Sequence, residues 1–299
     1  MITVFGGSGF LGRSLVERLA KEGYRIRVAV RNTEAASFLK IIGETGQVVP
    51  WPANITRPDQ VSAAINGADF VVNLVGILFK TRRQTFETIH EVGAKLVAES
   101  SSLEGVKHLI HVSAIGAEED SPSEYGRSKA KGIKVVKSVF PDASFVRPSV
   151  MFGANDNFFN LFAGLTRLTF ILPIFGCPLI PKVKIFPKGD TISIDFYGNG
   201  GTKLQPVYVG DVANAIIRIL SDPKTKGQTY DLGGPRVYSF KDLMRLLLNV
   251  INRKRFLLPM PLGLAKILAW FLEFSPKPLL TIDQVNSLKR DNVISDKNP

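Results

Sequence analysis

The chain has 299 residues, 45% of them hydrophobic and 21% charged, which is enough for a large core in one two-lobed unit or in two domains. Its single cysteine, Cys177, excludes an intrachain disulfide and a cysteine-rich zinc site, and no run of about 18 apolar residues is free of charge and proline, which excludes an ordinary membrane-spanning helix. Lys and Arg outnumber Asp and Glu by 38 to 26, giving a net charge of +12. This charge is typical either of solvated faces or of an anionic partner, such as a phosphorylated cofactor, an anionic membrane surface or an acidic subunit. No nucleic-acid motif accompanies it.

The first segment of the chain is an apolar strand, a glycine-rich turn and a helix. Ile2–Phe5 is typical of a buried strand, and because the chain opens on it we expect no signal peptide. Gly6, Gly9 and Gly12 follow at GxxGxxG spacing, and helical periodicity then runs from Phe10 to Glu22. This order of elements is typical of a dinucleotide site, with the pyrophosphate over the N-terminus of the helix. The predicted cofactor contacts in this turn are Gly6, Ser8, Gly9, Phe10, Leu11 and Gly12.

The residue that ends the second predicted strand, Arg25–Val30, indicates which dinucleotide is bound. An acidic residue at this position accepts hydrogen bonds from the ribose 2′-hydroxyl of NAD, whereas an arginine matches the 2′-phosphate of NADP. The chain has Arg31 here, and its first acidic residue beyond the strand is Glu34. We therefore predict NADP(H) as the preferred cofactor, with NAD(H) as the alternative.

Strands and helices go on alternating as far as residue 153, which predicts an α/β fold with a Rossmann-type, doubly wound parallel sheet. The further predicted strands are Gln47–Trp51, Asp69–Val75, His108–Ser113 and Ala143–Arg147, and the predicted helices are Thr33–Gly43, Asp59–Asn66 and Phe86–Leu103. Cofactors bind at the carboxyl ends of such strands. We therefore expect Asn54 to contact the adenine edge, and Val75 and Gly76 to lie close to the cofactor.

Residues 154–299 are less regular and predict a smaller α+β lobe that could return strands to the main sheet. The expected elements are a helix over Phe158–Leu172 that Pro173 ends, a strand over Asp190–Tyr197 that the Gly198–Gly201 turn closes as a hairpin, a strand over Gln205–Val209, a helix over Val212–Leu220 with Asp211 as its N-cap, and a helix over Phe240–Ile251. Leu264, Ile267, Leu268, Phe271 and Leu272 recur at helical spacing. Such a stripe faces either a core or, beside basic residues, a membrane or partner subunit.

Tyr125 and Lys129 form a YxxxK pair, which indicates a catalytic site. Residues four apart share one face of a helix, so the phenol and the ammonium can meet one ligand, and the ammonium favours the phenolate. Ser113 ends the fifth predicted strand and can hydrogen-bond the same group. The predicted catalytic residues are therefore Tyr125, Lys129 and Ser113, all of which also face the cofactor. His90, His108 and His111 are too scattered for a metal site, and no metal is expected.

Residues 2–153 resemble the extended and atypical short-chain dehydrogenase/reductases, through GGSGFLG, YGRSK and the segment Arg147–Gly153, which adds Pro148 to the expected cofactor contacts. Four further segments are similar to the NAD(P)-binding accessory subunits of respiratory complex I and their bacterial relatives: Phe152–Ala163, Leu204–Ile216, Tyr230–Met244 and Leu280–Ser295. The resemblance covers nearly the whole chain, and its last segment is the most specific.

The resemblance implies a tightly held NADPH, complex I subunits as partners, and a stabilising role without established turnover. It implies a peripheral location, on the cytoplasmic face of a bacterial inner membrane or on the matrix side in a mitochondrion. It assigns the pyrophosphate to Gly6, Gly9 and Gly12, the 2′-phosphate to Arg31, and the nicotinamide ribose to Tyr125 and Lys129. Ser113 precedes Tyr125 by a shorter interval than in typical sugar-nucleotide epimerases of the superfamily. The alternatives are an oxidoreductase of quinone or isoprenoid metabolism and, third, a sugar-nucleotide epimerase or dehydratase.

Overall fold

The computed structural model describes residues 1–178, 180, 182–185 and 192–295. In chain order its strands and α-helices are β1 (Ile2–Phe5), α1 (Phe10–Lys21), β2 (Ile26–Val30), β3 (Val48–Pro52), α2 (Pro58–Ile65), β4 (Phe70–Asn73), α3 (Gly93–Leu103), β5 (His108–Val112), α4 (Glu124–Val139), β6 (Ser144–Pro148), β7 (Met151–Phe152), α5 (Phe159–Leu168), β8 (Ile171–Phe175), β9 (Lys182–Ile185), β10 (Ile192–Asp195), β11 (Lys203–Leu204), β12 (Val207–Tyr208), α6 (Val209–Ser221), β13 (Thr229–Leu232), β14 (Tyr238–Ser239), α7 (Phe240–Val250), β15 (Phe256–Met260), α8 (Leu262–Leu272) and α9 (Ile282–Ser287).

The main sheet has seven strands in the order β13-β6-β5-β4-β1-β2-β3. All of its pairings are parallel, as expected for strands whose connections cross over through helices. The strand order reverses at β1, because β2 and β4 lie on its two sides. Ligands of such sheets bind at this switch point, beyond the carboxyl ends of the strands. The prediction of a Rossmann-type parallel sheet is confirmed.

Apolar side chains cover both faces of this sheet, which explains why its strands are almost continuously hydrophobic. On one face α1 packs against α6 and buries Leu15, Val16 and Leu19. On the other face α2, α3 and α4 pack over Val71, Leu109 and related residues. The sheet is therefore held rigidly, and the turns at the ends of its strands are presented from a fixed frame.

The seventh strand, β13, comes from the second half of the chain. It pairs with β6 in parallel, and Arg147 of β6 lies in register with Asp231 of β13. The guanidinium donates two hydrogen bonds to the Asp231 carboxylate, at 2.5 and 2.6 Å, a bidentate geometry that fixes both strands. The main sheet is thus completed by a segment that lies beyond residue 153.

The remaining elements form a second lobe around the fully buried ring of Phe240. Phe158, Phe162 and Phe175 approach this ring edge-on, with centroids 5.4–6.0 Å away. Two-stranded sheets connect the periphery: β7 with β12, β8 with β15, β9 with β10, and β11 with β14. Among the described residues, no helix combines the length and the apolar character that crossing a membrane requires.

Two helix predictions in the first half need adjustment. The helix expected over Thr33–Gly43 is only a 3-10 turn, Ser37–Ile41, because the Asn32 side chain accepts the Ala35 N–H and holds the preceding residues in a turn. The long helix expected from Phe86 begins as a π-helical segment, Glu87–Val92, and becomes α-helical only at Gly93. The predicted strands are otherwise found within two residues of their expected ends.

The second half departs further from expectation. The helix expected to reach Leu172 ends at Leu168, and Ile171–Phe175 is a strand in which Pro173 is tolerated because a two-stranded sheet leaves each strand one free edge. Ile192–Asp195 pairs with the preceding Lys182–Ile185, not with a strand beyond the Gly198–Gly201 turn, and residues 190 and 191 lie outside the described part. The expected strand Gln205–Val209 shrinks to Val207–Tyr208. Helix α6 begins at Val209, so Asp211 lies in its first turn and is not its N-cap.

Helix α8 is turned outward. It buries Ala265 and Ala269 completely, whereas Trp270 and Phe271 are 51% and 61% exposed. The core-facing interpretation of the apolar stripe is therefore wrong for most of its residues, and only Leu272 is half-buried. We call the exposed side chains the apolar surface: Leu264, Ile267, Leu268, Trp270, Phe271 and Phe274.

Candidate dinucleotide-binding site

The glycine turn between β1 and α1 lies at the switch point of the sheet. Gly6 has a φ of +78°, which only glycine adopts without strain, and this lets the chain leave β1 sharply. A Cβ on Gly12 would lie 2.5 Å from the Cα of Gly7, so only glycine allows the helix to approach the turn this closely. Because neither position carries a side chain, a pyrophosphate can approach the backbone of the turn.

The N-terminus of α1 is prepared for an anion. Gly9 is its N-cap and provides no side-chain cap, so N–H groups of the first turn are free of the usual side-chain acceptor. No acidic residue lies in this turn, while Arg13 follows the motif, donates to the Ser8 carbonyl at 3.0 Å and stacks over Phe38 at 4.3 Å. Free N–H groups, the helix dipole and a guanidinium all favour phosphate here. Sequence reasoning missed Arg13, whose signal was its place directly after the third glycine.

Tyr125 and Lys129 lie on α4, and the Lys129 side chain reaches the end of β5. Lys129 is 4% exposed, and its Nζ donates to the carbonyl of Val112, the last residue of β5, at 3.2 Å. A Cβ on Gly76 would lie 3.0 Å from the same Nζ. The structure therefore brings together Lys129, Gly76 and the end of β5, as the strand-end argument predicts.

Burial sets the protonation of this pair. Removal from water lowers the pKa of Lys129 to about 8 and raises the pKa of Tyr125 to about 12. The Tyr125 ring is half-buried between Phe86 and His90, whose ring centroids lie 6.0 and 5.5 Å away. At neutral pH the site thus presents a protonated phenol and an ammonium that donates to the Val112 carbonyl.

His90 is a second residue of the site that the sequence did not reveal. Its Nε2 accepts the N–H of Ile77 at 3.0 Å, so the ring carries its proton on Nδ1, which donates to Ser128 Oγ at 2.8 Å. Burial, with the nearby Lys129 charge, lowers its pKa to about 2. The neutral ring therefore connects the turn after β4 to α4, and it supports the walls around Tyr125.

Two buried polar atoms at the end of β5 have no hydrogen-bond partner among the described residues: Ser113 Oγ and His111 Nε2. Asn73 donates to His111 Nδ1 at 3.3 Å, because its own oxygen accepts the Val75 N–H, so the His111 proton is on the unpaired Nε2. Buried polar groups are rarely left unsatisfied. Ser113 Oγ is therefore suited to hydrogen-bond a polar group of a bound ligand. The glycine turn is suited to a ligand for a different reason, because its backbone can be approached closely.

The other predicted contacts are distributed along the same edge. Arg31 is exposed at the end of β2, where it is available to a ligand. Asn54 follows β3, and its side-chain oxygen accepts the N–H and hydroxyl of Thr56 at 3.2 and 3.0 Å. Pro148 is buried at the end of β6 and accepts the Ile115 N–H at 3.1 Å. Val75, beside Gly76, would touch a Cβ on Gly6, so the two turns are in contact.

The remaining histidine and the cysteine have structural environments. His108 Nε2 lies 2.8 Å from Ser144 Oγ, and burial raises the pKa of the Cys177 thiol. Within the described residues, no three His, Cys, Asp or Glu side chains are grouped so that they could hold a metal ion.

Comparisons with known proteins agree with this geometry. A family model described as NAD(P)H-binding matches residues 6–143, so the chain carries an NAD(P)H-binding domain. The mitochondrial NADH dehydrogenase (ubiquinone) 1 alpha subcomplex subunit 9 of Arabidopsis thaliana is 34% identical over 306 residues, which cover 98% of this chain and 71% of the relative. The chain belongs to the subunit 9 family. The prediction from Leu204–Ile216, Leu280–Ser295 and the other quoted segments is confirmed, and the match extends over both lobes.

Two further proteins are similar to this chain, one in part of its sequence and the other in its fold. A ceramide reductase of Caulobacter vibrioides is 30% identical over 156 residues, 52% of this chain and 48% of the relative. The crystal structure of a Citrobacter sp. triphenylmethane reductase complexed with NADP(H) has a TM-score of 0.73, covers 99% of this chain and 93% of its own, and is 17% identical. The latter likeness concerns the fold alone.

Proposed function

We propose that this protein is an NADP(H)-binding accessory component of NADH:ubiquinone oxidoreductase, and that it holds the dinucleotide without turning it over. The observation that carries the proposal is the 34% identity to a complex I subunit across 98% of the chain, which includes the second lobe as well as the nucleotide-binding domain. A structure that shares only the fold, the triphenylmethane reductase, also covers both lobes but at 17% identity, so the sequence identity and not the fold carries the proposal.

In this proposal each part of the site binds one part of the cofactor. The glycine turn and the N-terminus of α1 bind the pyrophosphate, and Arg31 binds the 2′-phosphate. Asn54 binds at the adenine edge, while Tyr125, Lys129 and Ser113 bind the nicotinamide ribose and carboxamide end. When bound, the cofactor supplies a hydride-carrying ring. The chain's own groups orient that end and exclude water from it.

The protonation of the pair suits hydrogen bonding to a bound cofactor. A tyrosine that serves as acid and base needs a pKa near the working pH, and a neighbouring ammonium usually lowers it. Here burial raises the pKa of Tyr125 to about 12, so the phenol keeps its proton and acts as a hydrogen-bond donor. The Lys129 ammonium, with a pKa of about 8, remains charged at neutral pH and pairs with ligand oxygens.

Calorimetric titration of the protein with NADPH and NADH tests the cofactor preference. We expect tighter binding of NADPH, and Arg31→Asp should shift the preference toward NADH, because a carboxylate repels the 2′-phosphate and accepts from a 2′-hydroxyl. Arg25→Asp makes the same charge change at the opposite end of β2 and should leave the preference unaltered. Equal affinities in the native protein, or a preference for NADH, would contradict this part of the proposal.

An oxidoreductase with a lipid-like substrate is the second candidate, favoured by the partial match to a ceramide reductase. Tyr125→Phe separates the two. An accessory subunit loses one hydroxyl, worth about 0.5–1.5 kcal/mol per hydrogen bond, and keeps its cofactor and its assembly. A reductase loses a factor of about 10²–10⁴ in rate. A strain with this substitution that keeps complex I but fails in quinone or lipid synthesis would refute the accessory role.

We infer that attachment is peripheral, on the cytoplasmic face of a bacterial inner membrane or the matrix face of a mitochondrial one, through the apolar surface of α8. Exposed patches of this kind mark interaction sites. Lys266 lies within the same helix and Lys277 follows it, so an anionic membrane surface is a compatible contact besides complex I subunits.

Washing of membrane fractions distinguishes attachment by charge from attachment by apolar contact. Attachment by charge is screened beyond about 8 Å at physiological salt and washes off, whereas apolar attachment resists salt and yields to detergent. We expect the protein to stay in the membrane fraction during a high-salt wash and to be released by detergent together with complex I subunits. Leu268→Asp and Phe271→Asp should weaken retention, while Leu103→Asp, at an exposed position of α3, should not. Native protein that is wholly soluble and monomeric would contradict the inference.

A further inference from the structure

The segment Thr281–Ile294, here called the C-terminal strap, crosses from the second lobe to the loops that carry the dinucleotide site. It contains α9, and Val285 anchors it in the core of the second lobe. On both sides of that anchor, its polar side chains contact residues more than a hundred positions earlier. Their targets lie beside residues that the proposed function assigns to the cofactor.

Asp283 holds the start of helix α4. Its carboxylate accepts the N–H of Glu124 at 2.6 Å and the N–H of Tyr125 at 3.0 Å, one on each oxygen. Ser123, the local N-cap, accepts the Gly126 N–H at 3.0 Å. The first N–H groups of α4 are therefore shared between a local cap and a distant carboxylate, which also opposes the positive end of the helix dipole.

Asp283 is available for this contact because α9 is capped by other residues. Thr281 and Gln284 form a reciprocal capping box, in which the Thr281 hydroxyl accepts the Gln284 N–H at 3.2 Å and the Gln284 side chain accepts the Thr281 N–H at 3.0 Å. The carboxylate of Asp283, between these two residues, is thus directed at another helix. A role confined to α9 does not explain this geometry.

Two further strap residues bind the segments that follow Ser113 and Pro148. The Arg290 guanidinium donates to Glu118 at 2.6 Å and to Asp120 at 2.7 Å, in the loop between β5 and α4. The Asn292 amide accepts the Ser149 hydroxyl at 2.6 Å and donates to the Ile115 carbonyl at 3.3 Å. The strap therefore contacts the segment after β5, the segment after β6 and the first turn of α4.

We propose that Asp283 is a positioning residue for the dinucleotide site, which acts through the backbone of Tyr125, and that the C-terminal strap couples the second lobe to cofactor binding. The inference rests on the proposed function, because it takes Tyr125 as a contact of the nicotinamide ribose. Coupling is reciprocal: if the strap improves cofactor affinity, bound cofactor holds the strap in place by the same factor.

Calorimetric titration of the full-length chain with NADPH tests the coupling. Asp283→Ala removes both acceptors, and we expect the Kd to rise about tenfold, the loss typical of a charge-assisted hydrogen bond. Asp283→Asn retains one acceptor oxygen and should show a smaller rise, and Asp283→Glu should recover most of the affinity. Asp242→Ala removes a carboxylate from the first turn of α7, where it accepts the Ser239 hydroxyl, and should leave the Kd unchanged.

A second measurement begins with the native protein, so that its first result is independent of how well the variant folds. Trypsin cleaves after Lys289 and Arg290, which lie within the strap. Saturating NADPH should slow cleavage there in the native protein by about tenfold, and it should protect Asp283→Ala less. Cleavage after Lys21 in α1, followed as a control, reports overall stabilisation of the fold.

The outcomes separate the two proposals. If the native protein binds NADPH, but Asp283→Ala binds it equally well and the strap is not protected, the coupling is wrong while the proposed function stands. If the native protein binds no dinucleotide, the proposed function fails and the coupling fails with it. If Asp283→Ala lowers thermal stability but leaves the Kd of the folded fraction unchanged, the strap is a structural brace only, which overturns the inference.

Discussion

Helices α4 and α8 depart from the usual distribution of side chains in opposite directions. Helix α4 buries Lys129 against the sheet, whereas α8 buries two alanines and exposes Trp270 and Phe271. Buried charges and exposed aromatic clusters both carry a free-energy cost for the isolated chain. Under the proposed function the cost is offset differently in the two helices: at Lys129 by a bound dinucleotide, and on the apolar surface by a partner with an apolar face.

The largest expected effect is that of Gly12→Ala, which tests how tightly the glycine turn is packed. Gly12→Ala places a Cβ against the backbone of Gly7, which cannot move without displacing β1. We expect a loss of about 3 kcal/mol or more in the free energy of unfolding, together with loss of dinucleotide binding. Gly164→Ala, in the open interior of α5, meets no atom within 4 Å and should stabilise by about 0.5–1 kcal/mol. Equal stabilities of the two variants in urea titrations would show that the turn is loosely packed.

Acid should lower the free energy of unfolding through the two buried histidines near Lys129, His90 and His111. In the folded chain the pKa values of His90 and His111 are lowered to about 2 and about 3, mainly by burial, whereas the unfolded chain takes up these protons near the ordinary value of 6.5. The unfolded state therefore binds more protons below pH 6.5, and stability falls with pH by about 1.4 kcal/mol per unit for each histidine. His111→Gln should make that slope shallower by one such increment. An unchanged slope between pH 6.5 and 4.5 would mean that His111 titrates normally.

Lys129→Met should separate stability from binding. Burial lowers the Lys129 pKa from 10.5 to about 8, so the unfolded chain holds more protons between these values, and the stability of the native chain rises with pH across that window. At pH 7 removal of the buried charge should stabilise the cofactor-free protein by about 1–3 kcal/mol, with the gain lost above pH 10.5. The same variant should bind NADPH more weakly. Lys131→Met, at an exposed position of the same helix, serves as the control, and a destabilised Lys129→Met protein would contradict the prediction.

The smallest effect is expected on the apolar surface. Phe271→Ala removes an exposed ring and should change the free energy of unfolding by less than about 0.5 kcal/mol, whereas Phe240→Ala, which empties the centre of the second lobe, should cost about 3–5 kcal/mol. Thermal melts in the absence of membranes measure both. A large loss for Phe271→Ala would indicate that α8 packs against its own chain in solution.

The sequence was sufficient for the regions where local pattern and tertiary packing agree. The apolar strands, the glycine turn and the position of Tyr125 and Lys129 on one helix follow from period, spacing and turn chemistry. Ile171–Phe175 could not be predicted as a strand, because its proline and its apolar run fit a helix end equally well, and only the partner strand Phe256–Met260 decides between them. The outward orientation of α8 could not be predicted either, since an apolar stripe carries no mark of what it faces.

Contacts between distant residues were similarly hidden. His90 supports Tyr125 through Ser128 and Ile77, and nothing in the spacing of these residues indicates it. Asp283 lies 158 positions from the backbone that it contacts. Sequence periodicity identifies which face of an element is apolar, but the partner of a polar side chain is fixed only by the assembled topology.

The late arrival of strand β13 affects how the chain is made. While the ribosome has released only the first 150 residues or so, β6 remains an uncovered sheet edge, with its hydrogen-bonding groups open to other nascent chains. Closure waits until Thr229–Leu232 emerges and Asp231 reaches Arg147. Until Thr229–Leu232 has been synthesised, the chain therefore passes through an interval in which the β6 edge is open to aggregation. A chaperone that covers this edge during the interval would raise the yield of folded protein.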